Sequence, residues 1–259
     1  MEFPQSDKHN NQESHPVPIL PAATVLVIRE AQDQLEVLLL KRNKSLAFAP
    51  NAWVFPGGRL DPDDRHHEQD DTLLVAKRAA VRECKEEANL DIPTSSLHHF
   101  CKWTTPSGGN KRFETYFFHA PLVDINKEVI IDDSEIVDHM WVTPHEGLSL
   151  FIKQKIYLLP PTFITLERIK DCHTYKDVIS EFNRTGVVEA KPVTTFIEGK
   201  FYSLYEGDSG FAKIDITDTQ VLHRLVMDMS KSMYQFFHNC PDHPPVSGGV
   251  KFLSKGICD

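Results

Sequence analysis

Three glutamates lie close together in the chain, at Glu83, Glu86 and Glu87. Residues three and four apart share one face of an α-helix, so a helix here would bring the three carboxylates together. Crowded carboxylates repel one another unless a cation lies among them, and oxygen ligands of this kind suit Mg²⁺ or Mn²⁺. The spacing predicts a divalent-metal site, and the alternative from the spacing alone is a solvated acidic helix face.

Two glycines upstream of the glutamates, Gly57 and Gly58, favour the metal site. They follow an apolar run over residues 52–55 and a proline, which predicts a short strand that ends in a turn. Only glycine lets the backbone approach a ligand very closely. A carbonyl oxygen of Gly57 or Gly58 is therefore expected to add a neutral metal ligand.

The helix that carries the glutamates is predicted over residues 72–88, after an acidic loop over residues 61–71. Asn89 follows at the position where a helix favours a residue that tolerates positive φ. The N-cap candidates are Asp70, Asp71 and Thr72. The apolar stripe beside the glutamate face is predicted to contain Leu73, Ala80, Cys84 and Ala88.

Strands alternate with only a few helices along the rest of the chain. Residues 22–29 and 35–42 predict a hairpin, and residues 97–104 and 112–119 predict a second strand pair joined by a glycine-containing turn. Further strands are predicted over residues 135–142, 193–197 and 200–205, and helices beginning at Pro144, Pro160 and Tyr175, whereas residues 221–237 are ambiguous between helix and strand. This pattern predicts an α+β fold with a mixed sheet.

Composition excludes several classes of function for these 259 residues. The net charge of −9 argues against a broad nucleic-acid or anionic-membrane surface, although it allows a local basic pocket. No apolar run approaches the roughly 20 residues of a membrane span. The five cysteines are scattered, which predicts a reducing compartment. Without a signal peptide, a cytoplasmic location is the expectation.

The motif as a whole resembles the box of the Nudix hydrolases. A glycine pair and a connecting loop precede Arg82, Glu83, Cys84, Glu86, Glu87 and Leu90, all of which match the second half of that box. The resemblance implies a Nudix fold, with a mixed β-sheet sandwiched between helices. It also implies hydrolysis of a diphosphate linked to a nucleoside, with Mg²⁺ or Mn²⁺ as the cofactor.

The match departs from the usual box in the loop between Gly58 and Arg82. This spacing is about ten residues longer than usual, and Leu74 stands where a glutamate normally lies eight residues before the arginine. The missing carboxylate is expected to come from Glu68, Asp70 or Asp71. The final glycine of the box is replaced by Asn89.

An insertion at this point resembles the peroxisomal coenzyme A diphosphatases of the Nudix motif 19 type. Residues 103–118 and 156–163 are also similar to that branch, and the resemblance extends from about residue 20 to at least residue 208. It implies a partner of coenzyme A type, with coenzyme A or acyl-coenzyme A cleaved to 3′,5′-ADP and (acyl-)4′-phosphopantetheine. The alternatives are a Nudix pyrophosphatase acting on NADH, a nucleotide sugar or an mRNA cap, and a catalytically silent binding protein of the same fold.

The resemblance assigns the box glutamates to metal binding, with Glu83 as a ligand or a base. Glu135 is a further ligand or base, with Asp132 and Asp133 as substitutes, and its alternative is a surface glutamate at a strand start. Arg82 is expected to orient a glutamate, because its planar fork can hold a carboxylate.

Cationic and aromatic side chains supply the substrate-binding candidates. Arg42, Arg59 and Arg112 are candidates for phosphate binding, although each is also a common type of solvated arginine. Stacking on adenine is assigned to Trp103 and Phe113, with Tyr116 as a further candidate, and the alternative for these aromatic residues is the core.

Three segments are expected along the chain. Residues 1–16 are polar and predict a disordered tail, residues 17–185 form the Nudix hydrolase domain, and residues 186–259 form a C-terminal α/β extension packed on it. The role of the extension and the oligomeric state stay open. The resemblance offers the peroxisome as an alternative location, although a C-terminal targeting tripeptide is not recognised.

Overall fold

The computed structural model describes residues 17–109, 111–228 and 233–240. The predicted tail, residues 1–16, and the end of the predicted extension, residues 241–259, lie outside the described residues. The described parts form a large mixed sheet, a second smaller sheet and four α-helices.

The large sheet supports every element of the candidate site. Within the described residues its strands are β1 (Ile19–Ala31), β2 (Gln34–Arg42), β3 (Ala52–Val54), β4 (Gly57–Arg59), β5 (His98–Thr104), β6 (Arg112–Pro121), β7 (Ile136–Val142), β8 (Tyr157–Leu158) and β9 (Val188–Ala190). The order is β8-β3-β2-β1-β6-β5-β9, while β4 pairs with β1 and β7 pairs with β2. The β1–β6, β3–β8 and β5–β9 pairs are parallel and the others antiparallel. The α+β class, the mixed sheet and both antiparallel strand pairs are confirmed.

The helices begin where the sequence predicts. They are α1 (Thr72–Ala88), α2 (Pro144–Ile152), α3 (Pro160–Ile169) and α4 (Tyr175–Thr185). Proline starts α2 and α3, since its fixed φ suits the first helical turn and its missing N–H has no partner there. In the part of the chain that the structure describes, we find no helix with the length and apolar character needed to cross a membrane.

Helices cover both faces of the large sheet because side chains alternate along each strand. Val25, Val27, Leu38 and Leu40 share one core cluster with the alanines of α1. The intervening residues of the same strands belong to a second cluster on the opposite face, with apolar side chains of α2, α3 and α4. Leu73, which the sequence places in the apolar stripe of α1, is 37% exposed in the first turn of that helix, so that part of the prediction is wrong.

The second sheet is antiparallel and belongs to the C-terminal extension. It consists of β10 (Val193–Ile197), β11 (Lys200–Leu204), β12 (His223–Asp228) and β13 (Met233–His238), in that order. The extension is predicted to be α/β, and its described residues contain strands and a short 3-10 turn without an α-helix. Residues 221–237, which are ambiguous in sequence, contain β12 and most of β13. Their sequence is ambiguous because a short apolar run fits a buried helix as well as a buried strand.

One face of the second sheet packs against the helices of the main domain. Tyr234 of β13 contacts the rings of Phe151 and Phe163, with centroids 4.9 and 5.1 Å away. Its hydroxyl donates a hydrogen bond of 2.9 Å to the carbonyl oxygen of Leu158. The extension therefore shares a core with the main domain.

A buried ion pair fastens the loop between β11 and β12 to the second sheet. Arg224 Nε and Nη2 donate to the two carboxylate oxygens of Asp208, at 2.7 and 2.5 Å. Two backbone N–H groups also donate to Asp208, and Arg224 donates to the carbonyl oxygens of Ile216 and Asp218. The side chains of Arg224 and Asp208 are 4% and 0% exposed, so each charge depends on this network instead of on water.

We expect Asp208→Ala to lower the free energy of unfolding by about 3–5 kcal/mol, because it leaves the Arg224 cation buried without its counterion. Urea unfolding followed by circular dichroism measures the change. Asp91→Ala is the control, since Asp91 pairs with Lys85 at 2.9 Å on the surface and solvent screens that pair. Equal shifts in the two variants would contradict the role of the buried pair.

Candidate functional site

The glutamate helix begins and ends as the sequence predicts. The side chain of Asp71 accepts a 2.7 Å hydrogen bond from the backbone N–H of Leu74 and caps the N-terminus. Asn89 ends the helix in the left-handed conformation, with φ of 55°. Asparagine tolerates that conformation better than most side chains, so replacement of the usual glycine costs little.

The glycine pair lies directly against two of the glutamates. Strand β4 places Gly57 opposite Thr24 and Gly58 opposite Ala23 of β1. The backbone N–H of Gly57 donates a 2.9 Å hydrogen bond to Glu87 Oε2. A Cβ atom on Gly58 would lie 2.3 Å from Glu83 Oε1, so the carboxylate occupies the space of the absent side chain.

Arg82 holds the acidic side chains in place. Its Nη1 donates to Glu83 Oε1 at 2.9 Å and to Glu86 Oε2 at 3.0 Å. Its Nη2 donates to the carbonyl oxygen of Arg59 at 3.0 Å, which ties α1 to β4. These contacts are the ones expected of an arginine that orients a glutamate.

The carboxylate that faces Arg82 from the connecting loop is Asp64. Arg82 Nε and Nη2 donate to its two oxygens at 3.0 and 3.1 Å, and Asp64 is 4% exposed. The sequence predicts Glu68, Asp70 or Asp71 as the carboxylate that replaces the missing box glutamate, but in the structure the acid that contacts Arg82 from the loop is Asp64. Asp70 instead pairs with Arg78 at 2.5 Å, Asp71 caps the helix, and Glu68 is exposed in the loop.

Counting from the other end of the motif would have found Asp64. In the usual box, which is about ten residues shorter, the glutamate lies eight residues before the arginine. That position is also six residues after the second glycine. Position 64 lies six residues after Gly58. The inserted residues therefore follow Asp64 and leave its contact with Arg82 intact.

Burial makes two of the glutamates unusual acids. Glu87 is 6% exposed, and desolvation raises the pKa of its carboxyl from 4.5 to about 8, against the hydrogen bond from Gly57. Desolvation also raises the pKa of Glu83, and the charge of Arg82 opposes this effect. The negative charges of neighbouring carboxylates, including Glu135, add to both increases. A cation near these two carboxylates would offset their desolvation.

The carboxylate oxygens of Glu83, Glu86 and Glu87 are suitable ligands for a divalent cation. In this structure, however, they contact Arg82 and the backbone of Gly57. Among the residues described, no group of three or more histidine, cysteine, aspartate and glutamate side chains is arranged to hold a metal ion. Arg82 Nη1 lies between Glu83 and Glu86, and Glu87 is turned toward the N–H of Gly57. Metal binding would therefore require these carboxylates to turn toward a common point, and hard oxygen donors are the ligands that Mg²⁺ prefers.

These residues lie in the wall of a cavity of about 820 Å³. Its wall contains most of the predicted site residues, namely Glu83, Glu86, Glu87, Glu135, Gly57, Gly58, Arg42, Arg59, Trp103 and Phe113. The volume is in the range of small-molecule sites. The tertiary structure thus brings residues from the box, from β5 and β6 and from the start of β7 into one cavity.

Arg112 does not line the cavity, and Lys111 does. Alternate residues of one strand share a face, and the cavity is lined by Lys111, Phe113, Thr115 and Phe117. Arg112 Nε instead donates to the carbonyl oxygen of Thr105 at 3.2 Å. Tyr116 also lies outside the lining and packs against the α1-facing core. Strand alternation was the signal that would have selected Lys111.

Glu135 is exposed immediately before β7 and lines the cavity beside Asp132. The oxygens of Asp132 accept hydrogen bonds of 2.9 Å from the backbone N–H groups of Glu135 and Ile136. Asp132 therefore shapes the turn that presents Glu135, whereas Asp133 lies outside the lining.

Arg42 and an aromatic pair lie along the cavity wall. The positive charge of Arg42 opposes the increase in the pKa of Glu87, and its Nε donates to the carbonyl oxygen of Phe48 at 3.3 Å. Phe48 and Phe113 pack edge to face, with ring centroids 5.1 Å apart. Trp103 is 7% exposed and belongs to the core as well as the wall. The sequence gives no signal that would have identified Phe48.

The chain matches known proteins over this part. A family model described as the NUDIX domain matches residues 18–160, which is more than half of the chain. The acyl-coenzyme A diphosphatase NUDT19 of Homo sapiens is 29% identical over 180 residues, 68% of this chain and 46% of that protein. Putative nudix hydrolase 7 of Caenorhabditis elegans is 24% identical over 218 residues, 70% of this chain and 72% of that protein. The chain thus spans less than half the length of the human relative.

A solved structure shows the same fold. The NUDIX hydrolase from Alicyclobacillus acidocaldarius superposes with a TM-score of 0.55 at 22% identity, covering 63% of this chain and 96% of that chain. At this identity the likeness concerns the fold alone. It confirms the expected arrangement of a mixed sheet between helices.

We expect Gly58→Ala to weaken Mn²⁺ binding by about tenfold or more, because the added methyl group displaces the Glu83 carboxylate. Isothermal titration calorimetry measures the affinity. Gly109→Ala is the matched control, since its Cβ would lie 3.5 Å from the nearest atom, Lys111 O, which is ordinary contact. Equal Mn²⁺ affinity in the two variants would show that Gly58 does not shape the site.

Without metal, the stability of the protein should fall as pH rises between 4.5 and about 8, owing to Glu87. The folded state retains a proton that the unfolded state releases, so the slope reaches up to about 1.4 kcal/mol per pH unit. Urea unfolding in EDTA at several pH values measures it. Glu87→Gln should flatten this part of the curve, and Glu128→Gln, at an exposed glutamate, should not. Parallel curves for wild type and Glu87→Gln would refute the assignment.

Proposed function

Because the chain belongs to the Nudix family, we propose that it hydrolyses a diphosphate linked to a nucleoside, with coenzyme A or acyl-coenzyme A as the substrate. The products are then 3′,5′-ADP and (acyl-)4′-phosphopantetheine. The observation that carries the proposal is the placement of Glu83 and Glu87 against the glycine backbone, in the wall of one large cavity.

The proposed metal ligands are Glu83, Glu86 and Glu87, with a carbonyl oxygen of Gly57 or Gly58. When bound, Mg²⁺ or Mn²⁺ would neutralise the diphosphate and acidify a water molecule. Arg82 acts as a positioning residue, because it holds Glu83 and Glu86 and is itself held by Asp64.

Other residues of the chain would bind and orient the substrate. Arg42, Arg59 and Lys111 place positive charge along the cavity wall, where they would attract phosphate groups. Glu135 is exposed at the cavity edge, where it would accept a proton from the attacking water. The Phe48–Phe113 pair offers an aromatic surface for the base.

Two observations support a substrate of coenzyme A type. The human relative that covers 68% of this chain is named as an acyl-coenzyme A diphosphatase. The cavity also combines a charged end with apolar walls from two sheets, which suits a substrate with a phosphorylated nucleoside at one end and an uncharged arm at the other.

Purified protein should release 3′,5′-ADP from coenzyme A or an acyl-coenzyme A in the presence of Mg²⁺ or Mn²⁺, as measured by liquid chromatography. The test panel also contains NADH, ADP-ribose, a nucleotide sugar and capped RNA. A preference for any of these would reject the coenzyme A assignment, and no turnover of the whole panel would favour a binding protein.

We expect Glu87→Gln to reduce turnover of the preferred substrate by at least about a hundredfold, because the amide cannot supply an anionic oxygen to a metal ion. Glu128→Gln is the control, since Glu128 is exposed and lies outside the cavity wall. Turnover that survives Glu87→Gln would count against metal binding at this position.

A further inference from the structure

We propose that the apolar part of the cavity, between the large sheet and the second sheet, binds the acyl-bearing arm of the substrate. This inference rests on the proposed function and names the part of the substrate that the C-terminal extension recognises. We refer to this part of the cavity as the arm chamber. Its walls include Trp103 and Phe117 of the large sheet and Phe201, Tyr205, Leu225 and Met227 of the extension.

The strand register places the cavity-lining residues of β11, β12 and β13 on one face of the second sheet. Phe201 pairs with Met227, which pairs with Tyr234, and the three form a row across β11, β12 and β13. Ser203 pairs with Leu225 in the next row on the same face. All five residues line the cavity, so the face that packs toward the main domain also forms the chamber wall.

The chamber is continuous with the carboxylates. Gly57 pairs with Thr24 of β1, which pairs on its other side with Phe117 of β6. Two strand spacings separate Gly57 from Phe117, or about 10 Å. A substrate whose diphosphate lies beside Glu83 and Glu87 would therefore have its uncharged arm within reach of the chamber.

The chemistry of the chamber wall selects an apolar occupant. The cavity-lining residues of β11, β12 and β13 include no charged side chain, whereas Arg42, Arg59 and Lys111 line other parts of the cavity. A phosphate in the chamber would lack a counterion, and its desolvation would be unfavourable. An alkyl chain would instead gain about 0.8 kcal/mol for each buried methylene group.

Tyr205 lines the cavity and has a buried hydroxyl group. Tyr205 is 1% exposed, and its hydroxyl has no hydrogen-bond partner among the described residues. Its ring is fixed edge to face against Trp103, with centroids 5.7 Å apart. A buried hydroxyl without a partner is unfavourable, and a carbonyl group of the substrate arm would accept its hydrogen bond.

Calorimetric binding in EDTA tests the chamber without turnover. Wild-type protein should bind dodecanoyl-coenzyme A at least about tenfold more tightly than coenzyme A, because the alkyl chain leaves water. Equal affinities, or no binding of either ligand, would overturn the inference.

Two variants test whether the higher affinity for dodecanoyl-coenzyme A arises in the arm chamber. Met227→Trp fills the chamber and should reduce the preference for dodecanoyl-coenzyme A over coenzyme A to less than about twofold. Tyr205→Phe should weaken dodecanoyl-coenzyme A binding by about tenfold without lowering the unfolding midpoint, because it removes only an unpartnered hydroxyl. Tyr202→Phe is the matched control, since Tyr202 alternates to the other face of β11 and should bind both ligands as wild type does.

Failure of each proposal is distinguishable. If coenzyme A is hydrolysed with Mn²⁺ but the dodecanoyl chain brings no gain in affinity, the proposed function stands and the arm chamber is rejected. If no coenzyme A substrate is hydrolysed, the proposed function is rejected. A higher affinity for dodecanoyl-coenzyme A than for coenzyme A in EDTA, lost in Met227→Trp and Tyr205→Phe, would still establish the chamber. The same affinity ratio in both variants as in wild type would reject it.

Discussion

The rest of the site depends on the hydrogen bonds and ion pairs that the guanidinium group of Arg82 makes. One guanidinium group contacts Asp64, Glu83, Glu86 and the carbonyl oxygen of Arg59, at 2.9 to 3.1 Å. These contacts join the loop, the helix and the glycine strand, so the position of each depends on the same cation. The hydrogen bond with Asp64 holds the pKa of Arg82 above its ordinary value, and the cation therefore stays charged.

Strand β4 constrains the site as well, because its two glycines have no side chains and so leave space for the carboxylates. Gly58 gives its Cβ space to Glu83, and Gly57 gives its N–H to Glu87. The result is a pair of partly desolvated acids whose pKa values rise without a metal ion. Two desolvated acids are unfavourable for the metal-free protein, and a cation bound between them would stabilise the folded state.

The second sheet completes the wall of the cavity that the box glutamates line. It packs on the opposite face of the large sheet from α1 and shares a core with α2 and α3. Residues of β11 and β12 then line the same cavity as the box glutamates. A charged end and an apolar end of the cavity result from two different layers of the fold, and a substrate with a phosphorylated end and an uncharged arm would suit this division.

The sequence by itself determined the elements whose signals are local. The bounds of α1, its end at Asn89 and the main strand pairs follow from capping, periodicity and turn chemistry, whereas the structure selects Asp71 from the three N-cap candidates. Only the tertiary structure decided that Phe48 joins Phe113 in the cavity wall, and that the described residues of the extension form strands whose side chains line the same cavity. Each of these depends on partners distant in the chain or on which strand face is covered, and spacing along one chain carries no record of such contacts.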